Sequence, residues 1–104
     1  MKNVHGKIGS LEKALLLVGK KFDFLIIDSI ARNKNRARFN HILTDIPSIN
    51  PRILSMRLKS MEQDKLIEKH LIIGTPVKTE YSLTAKAEEL LEVISVLKRW
   101  AEKH

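Results

Sequence analysis

Cysteine is absent from this chain of 104 residues, which excludes a disulfide, a thiolate zinc site and a thiol switch. Aromatic residues are scarce at 5%, with one tryptophan and one tyrosine, so no base-stacking platform for RNA is evident. Long apolar runs are also missing. The longest, around Phe24 to Ile27, falls far short of the roughly 20 residues a membrane-spanning helix needs. The opening MKNVHGKIGS returns to charge without the apolar stretch of a signal peptide, so a soluble, cytoplasmic protein without a membrane partner is expected. Acidic residues are in the minority, 12 Asp and Glu against 19 Lys and Arg, giving a formal charge of +7 and a pI near 9.9. Such a balance favours a polyanionic partner, because cations laid on phosphates release condensed counterions.

Chemistry-bearing groups are equally sparse. His5, His41, His70 and His104 show neither metal-ligand spacing nor pairing with clustered acids. Glu88, Glu89 and Glu92 have no nucleophile or histidine beside them and suit the positive end of a helix instead. There is no glycine-rich phosphate loop and no G-x-S-x-G setting for any serine. No metal, no cofactor and no enzymatic activity are expected.

What is present is a pattern of short helices followed by a change of period. A hydrophobic share of 43% supports one small core, so residues 10–104 are expected to form a single domain behind a flexible stretch 1–9. Ser10 is a plausible N-cap for a first helix, apolar nearly all round, that Gly19 stops. A second helix from Phe22 to about Ala31 carries Phe22, Leu25, Ile26, Ile27 and Ile30 as the central core element. Phe39 to about Asp45 forms a third, and Pro47 disfavours its continuation. The segment from Arg38 to His70 then reads as two short helices joined by a tight turn and followed at once by a strand. Stretches 66–73 and 77–83 are β-branched and aromatic-rich around Gly74-Thr75-Pro76, a hairpin signal. In the second strand Val77, Thr79, Tyr81 and Leu83 alternate with polar residues, predicting one buried face. Thr84 caps a long final helix from Ala85 to about Lys103. The order is mainly α with a small β-hairpin wing: a winged helix-turn-helix with helices added at both ends.

The fourth helix, about 51–64, opens on Asn50 and Pro51. An asparagine there accepts from orphan N–H groups, and proline has no N–H to lose. Leu54, Leu58 and Met61 fall on one side at helical spacing; Arg52, Ser55, Met56 and Lys59 fall on the other. A greasy back and a cationic front suit a DNA major groove. Arg52 is the first choice for a base contact, with a phosphate clamp or a solvated arginine as the bland alternative. Met56 offers apolar contact. Arg57 lies nearer the core edge, where an ion pair and a DNA contact are equally open, and Asn50 suits a cap better than a base reader. Arg36 and Arg38, with Lys34 and Asn35, are candidates for phosphate contact or a solubilising loop. Lys69, His70 and Lys78 in the wing, about 66–83, are candidates for the flanking minor groove or backbone.

The motifs resemble those of the HxlR-type winged helix-turn-helix transcriptional regulators. Gly19-Lys20-Lys21-Phe22 is similar to the family's Gly-Gly-Lys-Trp, and Arg38-Phe39-Asn40 matches its Arg-Phe-Asn. Asn50 to Leu58 is similar to Ser-Pro-Arg-x-Leu-Ser-x-Arg-Leu. Met61, Lys65, Leu66, Ile67 and Glu68 echo Leu-x-x-x-Gly-Leu-Ile-Glu, and Glu80 to Thr84 is Glu-Tyr-Ser-Leu-Thr intact. The resemblance implies a dimeric DNA-binding regulator. Three departures stand out. The N-terminal cysteine by which many members sense oxidants is absent, Lys20 and Phe22 replace glycine and tryptophan, and Lys65 stands where glycine is usual. A differently shaped turn from helix to wing is expected at Lys65.

The terminal helices carry more apolar surface than one small domain needs. A two-fold homodimer packing them together (about 10–18 and 85–103) is the economical account. Its interface would include Leu11, Leu15, Leu16, Val93, Val96, Leu97 and Trp100. The expected function is a sequence-specific regulator of double-stranded DNA, with a repressor's role if its site overlaps a promoter; an effector is left open. A winged helix serving as a protein-interaction or assembly module is the alternative, and Arg52 and Lys59 on the front favour DNA.

Overall fold

The computed structural model describes residues 8–104. The expectation of flexibility at 1–9 therefore lies outside it except at Ile8 and Gly9, and His5 lies outside altogether. Within these residues the order is α1 (Ser10–Val18), α2 (Asp23–Arg32), α3 (Phe39–Asp45), α4 (Pro51–Gln63), β1 (Ile67–Ile72), β2 (Lys78–Leu83), α5 (Ala85–Glu88) and α6 (Leu90–Lys103). This is the expected winged helix-turn-helix with helices at both ends.

Ile26, Ile27 and Ile30 put α2 at the centre of the core, with Ile42, Ile46 and Ile49 from α3 and its turn, and Leu54, Leu58 and Met61 from α4. Leu25, expected beside them, lies on the outer side of α2 and is exposed. Position Gly9, rather than Ser10, precedes the first helical residue of α1, and no side chain caps that end. The helix ends before Gly19 as expected, and the close approach of the chain there suits glycine, since a Cβ would collide with the Leu15 carbonyl oxygen. The expected continuous last helix is interrupted at Glu89, which leaves a single turn, α5, ahead of α6. Thr84 does cap α5, accepting from the Ala87 N–H at 3.3 Å, while its own hydroxyl donates to the Lys65 carbonyl at 2.8 Å.

The two strands pair antiparallel, with Ile67 opposite Leu83, Lys69 opposite Tyr81 and Leu71 opposite Thr79. On its other edge β2 meets Ala37, whose N–H and carbonyl both pair with Tyr81. Leu66, Ile67, Tyr81 and Leu83 are buried against the helices. Toward the tip the burial ends: Val77, expected on the buried face, is exposed because the hairpin has left the helices behind.

The end of α2 fixes where the hairpin hangs. Lys34 and Asn35 both adopt the left-handed conformation (φ 60° and 59°). The Asn35 N–H returns to the Ile30 carbonyl at 2.9 Å and the Lys34 N–H to Ala31 at 3.1 Å, closing the helix by paired reverse bonds. The Asn35 side-chain oxygen then accepts from the Leu83 N–H at 2.6 Å. Asn35, offered above for phosphate contact or a solubilising loop, thus clamps β2 through its side-chain oxygen.

Candidate nucleic-acid interface

The outward front of α4 depends on how firmly its back and ends are held. Asn50 accepts from the Ile53 N–H at 2.8 Å with Pro51 in the first helical position, so its side-chain oxygen does the capping the sequence predicted. At the other end Lys65 takes φ 60°, the Leu66 N–H bonds to Met61 at 2.9 Å and the Lys65 N–H to Glu62 at 3.1 Å. Leu66 and Met61, both buried, complete the hydrophobic part of this cap. The turn expected to differ at Lys65 is the one glycine would make; the lysine adopts the left-handed conformation in glycine's place.

Arg57 settles on the core side. Its Nε donates to Asp23 Oδ1 at 2.9 Å and its Nη2 to Oδ2 at 3.1 Å, and the Asp23 side chain is fully buried. A two-pronged bond to a buried carboxylate orients the guanidinium tightly. Of the two readings open for Arg57, the ion pair is the one formed, and it ties α4 to the first turn of α2. A second polar cluster joins α3 to α2: the Ser29 hydroxyl and the Asn33 amide donate to Asp45 Oδ2 at 2.7 and 3.0 Å. The Ser29 bond leads in holding the Asp45 carboxyl below its usual value, with Asn33 and the Arg32 and His41 charges assisting against burial.

With the back so anchored, Arg52, Ser55, Met56 and Lys59 are all exposed. Lys69 joins them from the wing. It lines one cleft with Ser55, Lys59, Glu62 and Tyr81, and burial together with the Glu62 charge raises the Tyr81 phenol above its ordinary range, so it stays neutral. Arg38 and Lys78 meet in another hollow, beside Asn40, His41 and Thr79. The His41 ring Nδ1 accepts from the Arg38 N–H at 3.2 Å, leaving the Arg38 side chain outside. Among the described residues no carboxylate pairs with Arg52, Lys59, Lys69, Lys78 or Arg38.

Two other candidates are placed apart. Arg36 donates from Nε to Glu80 at 3.2 Å, though most of its side chain remains exposed. His70 is displaced to the opposite side of β1 from Lys69 by strand alternation, where its Nε2 lies 2.8 Å from the Ser82 hydroxyl. Among the described residues no group of three or more His, Cys, Asp or Glu could hold a metal ion, and no helix is long and apolar enough to cross a membrane.

The expected interface side chains of the terminal helices are exposed: Leu11, Leu15 and Leu16 on α1, and Val93, Val96, Leu97 and Trp100 on α6. Leu25 of α2, missed from the sequence, extends this apolar surface. An outward leucine on a helix otherwise devoted to the core was the available signal.

The family model for HxlR-like helix-turn-helix proteins matches residues 17–104. The chain is 36% identical over 93 residues to the HTH-type transcriptional regulator YodB of Bacillus subtilis (strain 168), covering 89% of this chain and 81% of that one. It is 33% identical over 90 residues to YvaP, an HTH-type transcriptional regulator of the same organism, covering 86% and 82%. The solved structure of reduced YodB superposes with a TM-score of 0.77 over 93% of both chains at 34% identity. The reduced form of HypR, described as a redox regulator, superposes with a TM-score of 0.82 over 91% of this chain and 92% of that one, at 27% identity.

Proposed function

This chain belongs to the HxlR-like helix-turn-helix family of transcriptional regulators, and from that premise we propose that it binds double-stranded DNA sequence-specifically as a homodimer and acts as a repressor. The observation carrying this is the α4 front. Arg52, Ser55, Met56 and Lys59 stand exposed on a helix whose opposite side is buried and whose two ends are capped. Seated in a major groove, Arg52 would grip guanine O6 and N7, Met56 would meet a thymine methyl, and Lys59 would add charge. Lys69, Lys78 and Arg38 flank this front and would take phosphates, which position the protein without specifying sequence.

The apolar faces of α1 and α6 support pairing. Side chains from Leu11 to Leu16 and from Val93 to Trp100 leave a surface that a second copy would cover. Two copies related by a dyad would read two half-sites about 34–36 Å apart. A regulator of this kind works in the cytoplasm and needs no catalytic group, metal or cofactor. HypR is described as a redox regulator; this chain holds no cysteine, so whatever signal it answers acts without a thiol.

Selection of bound duplexes from a random pool at low salt tests the reading. Recovered sequences should share an inverted repeat, and affinity should fall steeply with salt. A protein that retains no duplex at low salt is not this regulator.

A further inference from the structure

Of the chain's three methionines, Met1 lies outside the described residues and the other two differ sharply in setting. Both belong to α4. Met61 is 0% exposed in the core, whereas Met56 is 54% exposed on the outward front. A chain without cysteine has no thiol to intercept a two-electron oxidant, which leaves the methionine thioether the readiest group to react. Packing therefore shields one sulfur and presents the other. The presented one stands in the middle of the front. Arg52 lies four residues before it and Lys59 three residues after it, the separations that make neighbours on a helix surface.

Resting on the DNA-binding reading above, we propose that Met56 is a reversible oxidation site at which hydrogen peroxide turns off recognition by α4. The sulfur lone pair attacks one peroxide oxygen; an S–O bond forms and the O–O bond breaks. Sulfur gives up two electrons, and the departing hydroxide takes the proton of the transferred oxygen and leaves as water. A dithiol, acting through the methionine sulfoxide reductases, returns the two electrons and releases the oxygen as water. No charge changes in either direction. What changes is polarity, because an apolar thioether becomes a sulfoxide, a hydrogen-bond acceptor. Pressed against a thymine methyl, that oxygen is desolvated without a donor. Its position one turn from Arg52 and Lys59 also sets it in competition with guanine for their N–H groups.

The whole chain treated with hydrogen peroxide should gain an oxygen at Met56 and none at Met61, read by mass spectrometry of its peptides. Its melting temperature should hold, since the altered side chain is exposed. Affinity for a duplex recovered from the random pool should fall about tenfold. The slope of log affinity against log salt should not move, because no cation has been lost. Reductases for both sulfoxide epimers, supplied with dithiothreitol, should restore the untreated affinity. Met61→Leu should respond to peroxide as the parent does, whereas treated and untreated Met56→Leu should bind alike. Saturating duplex should slow the oxidation of Met56 in the parent.

Undiminished affinity in protein oxidised at Met56 overturns the inference and leaves DNA binding by α4 standing. So does a peroxide response that survives in Met56→Leu, that brings a lower melting temperature, or that the reductases fail to reverse. A duplex that leaves the oxidation rate unchanged also overturns it, by removing Met56 from the contact. If the untreated chain binds no duplex, the inference and the reading beneath it fall together.

Discussion

Replacing Arg57 by alanine separates its two conceivable roles, anchor and DNA contact. The guanidinium makes two bonds of 2.9 and 3.1 Å to Asp23, whose side chain is 0% exposed, while the Arg57 side chain keeps 19% of its surface open. Truncation would leave a buried carboxylate with no counter-charge, a change that typically costs about 3–5 kcal/mol. Water entering where the arginine emerges relieves part of this, which places Arg57→Ala at about 3 kcal/mol. For a domain of this size roughly 4–8 °C is lost per kcal/mol, so the melting midpoint should fall by roughly 12–24 °C. Circular dichroism during heating and urea titration reads both quantities. The pair Asp23→Ala with Arg57→Met removes both charges and should cost about 2 kcal/mol less than the two single changes summed. DNA affinity, measured well below both midpoints, should stay close to the parent's. A variant that melts with the parent but loses DNA binding would refute the reasoning and return Arg57 to the interface.

Lys65 occupies a left-handed position (φ 60°), so Lys65→Gly should stabilise the fold by about 1 kcal/mol; no gain in urea midpoint would show the lysine is unstrained there. Arg52→Ala should relax sequence preference at one base position by about 1–3 kcal/mol, and an unchanged selection profile would remove it from the base-reading set. Asp45 has its pKa lowered, first by the Ser29 hydroxyl. Its stabilising contribution is complete above the ordinary carboxylate pKa and is lost as pH falls through the lowered folded value. Asp45→Asn should therefore flatten part of the stability loss in denaturant titrations below pH 4, and identical acid profiles would refute that coupling. Val96→Glu with Trp100→Glu should convert a sedimenting dimer to monomer and abolish the preference for inverted repeats; a dimer persisting in that variant would move the interface elsewhere.

Much of this protein was legible along the chain because the signals are local. Asn50, Pro51 and the Leu54, Leu58, Met61 spacing mark α4 within a dozen residues, and the Glu80–Thr84 run marks the end of the wing. Family, fold class and the polarity of the recognition front follow from such short-range patterns, since helix caps and side-chain periodicity depend only on neighbours in sequence. Other properties required residues far apart to meet. Asp23 lies 34 positions from Arg57, and Asn35 lies 48 from Leu83; no periodicity announces either bond. Nor could spacing show that Val77 escapes the core or that Glu80 takes up Arg36. Those depend on which surfaces the packed helices cover and where their coverage ends. Tertiary packing alone decided which cations are spent holding the domain together and which are left facing out.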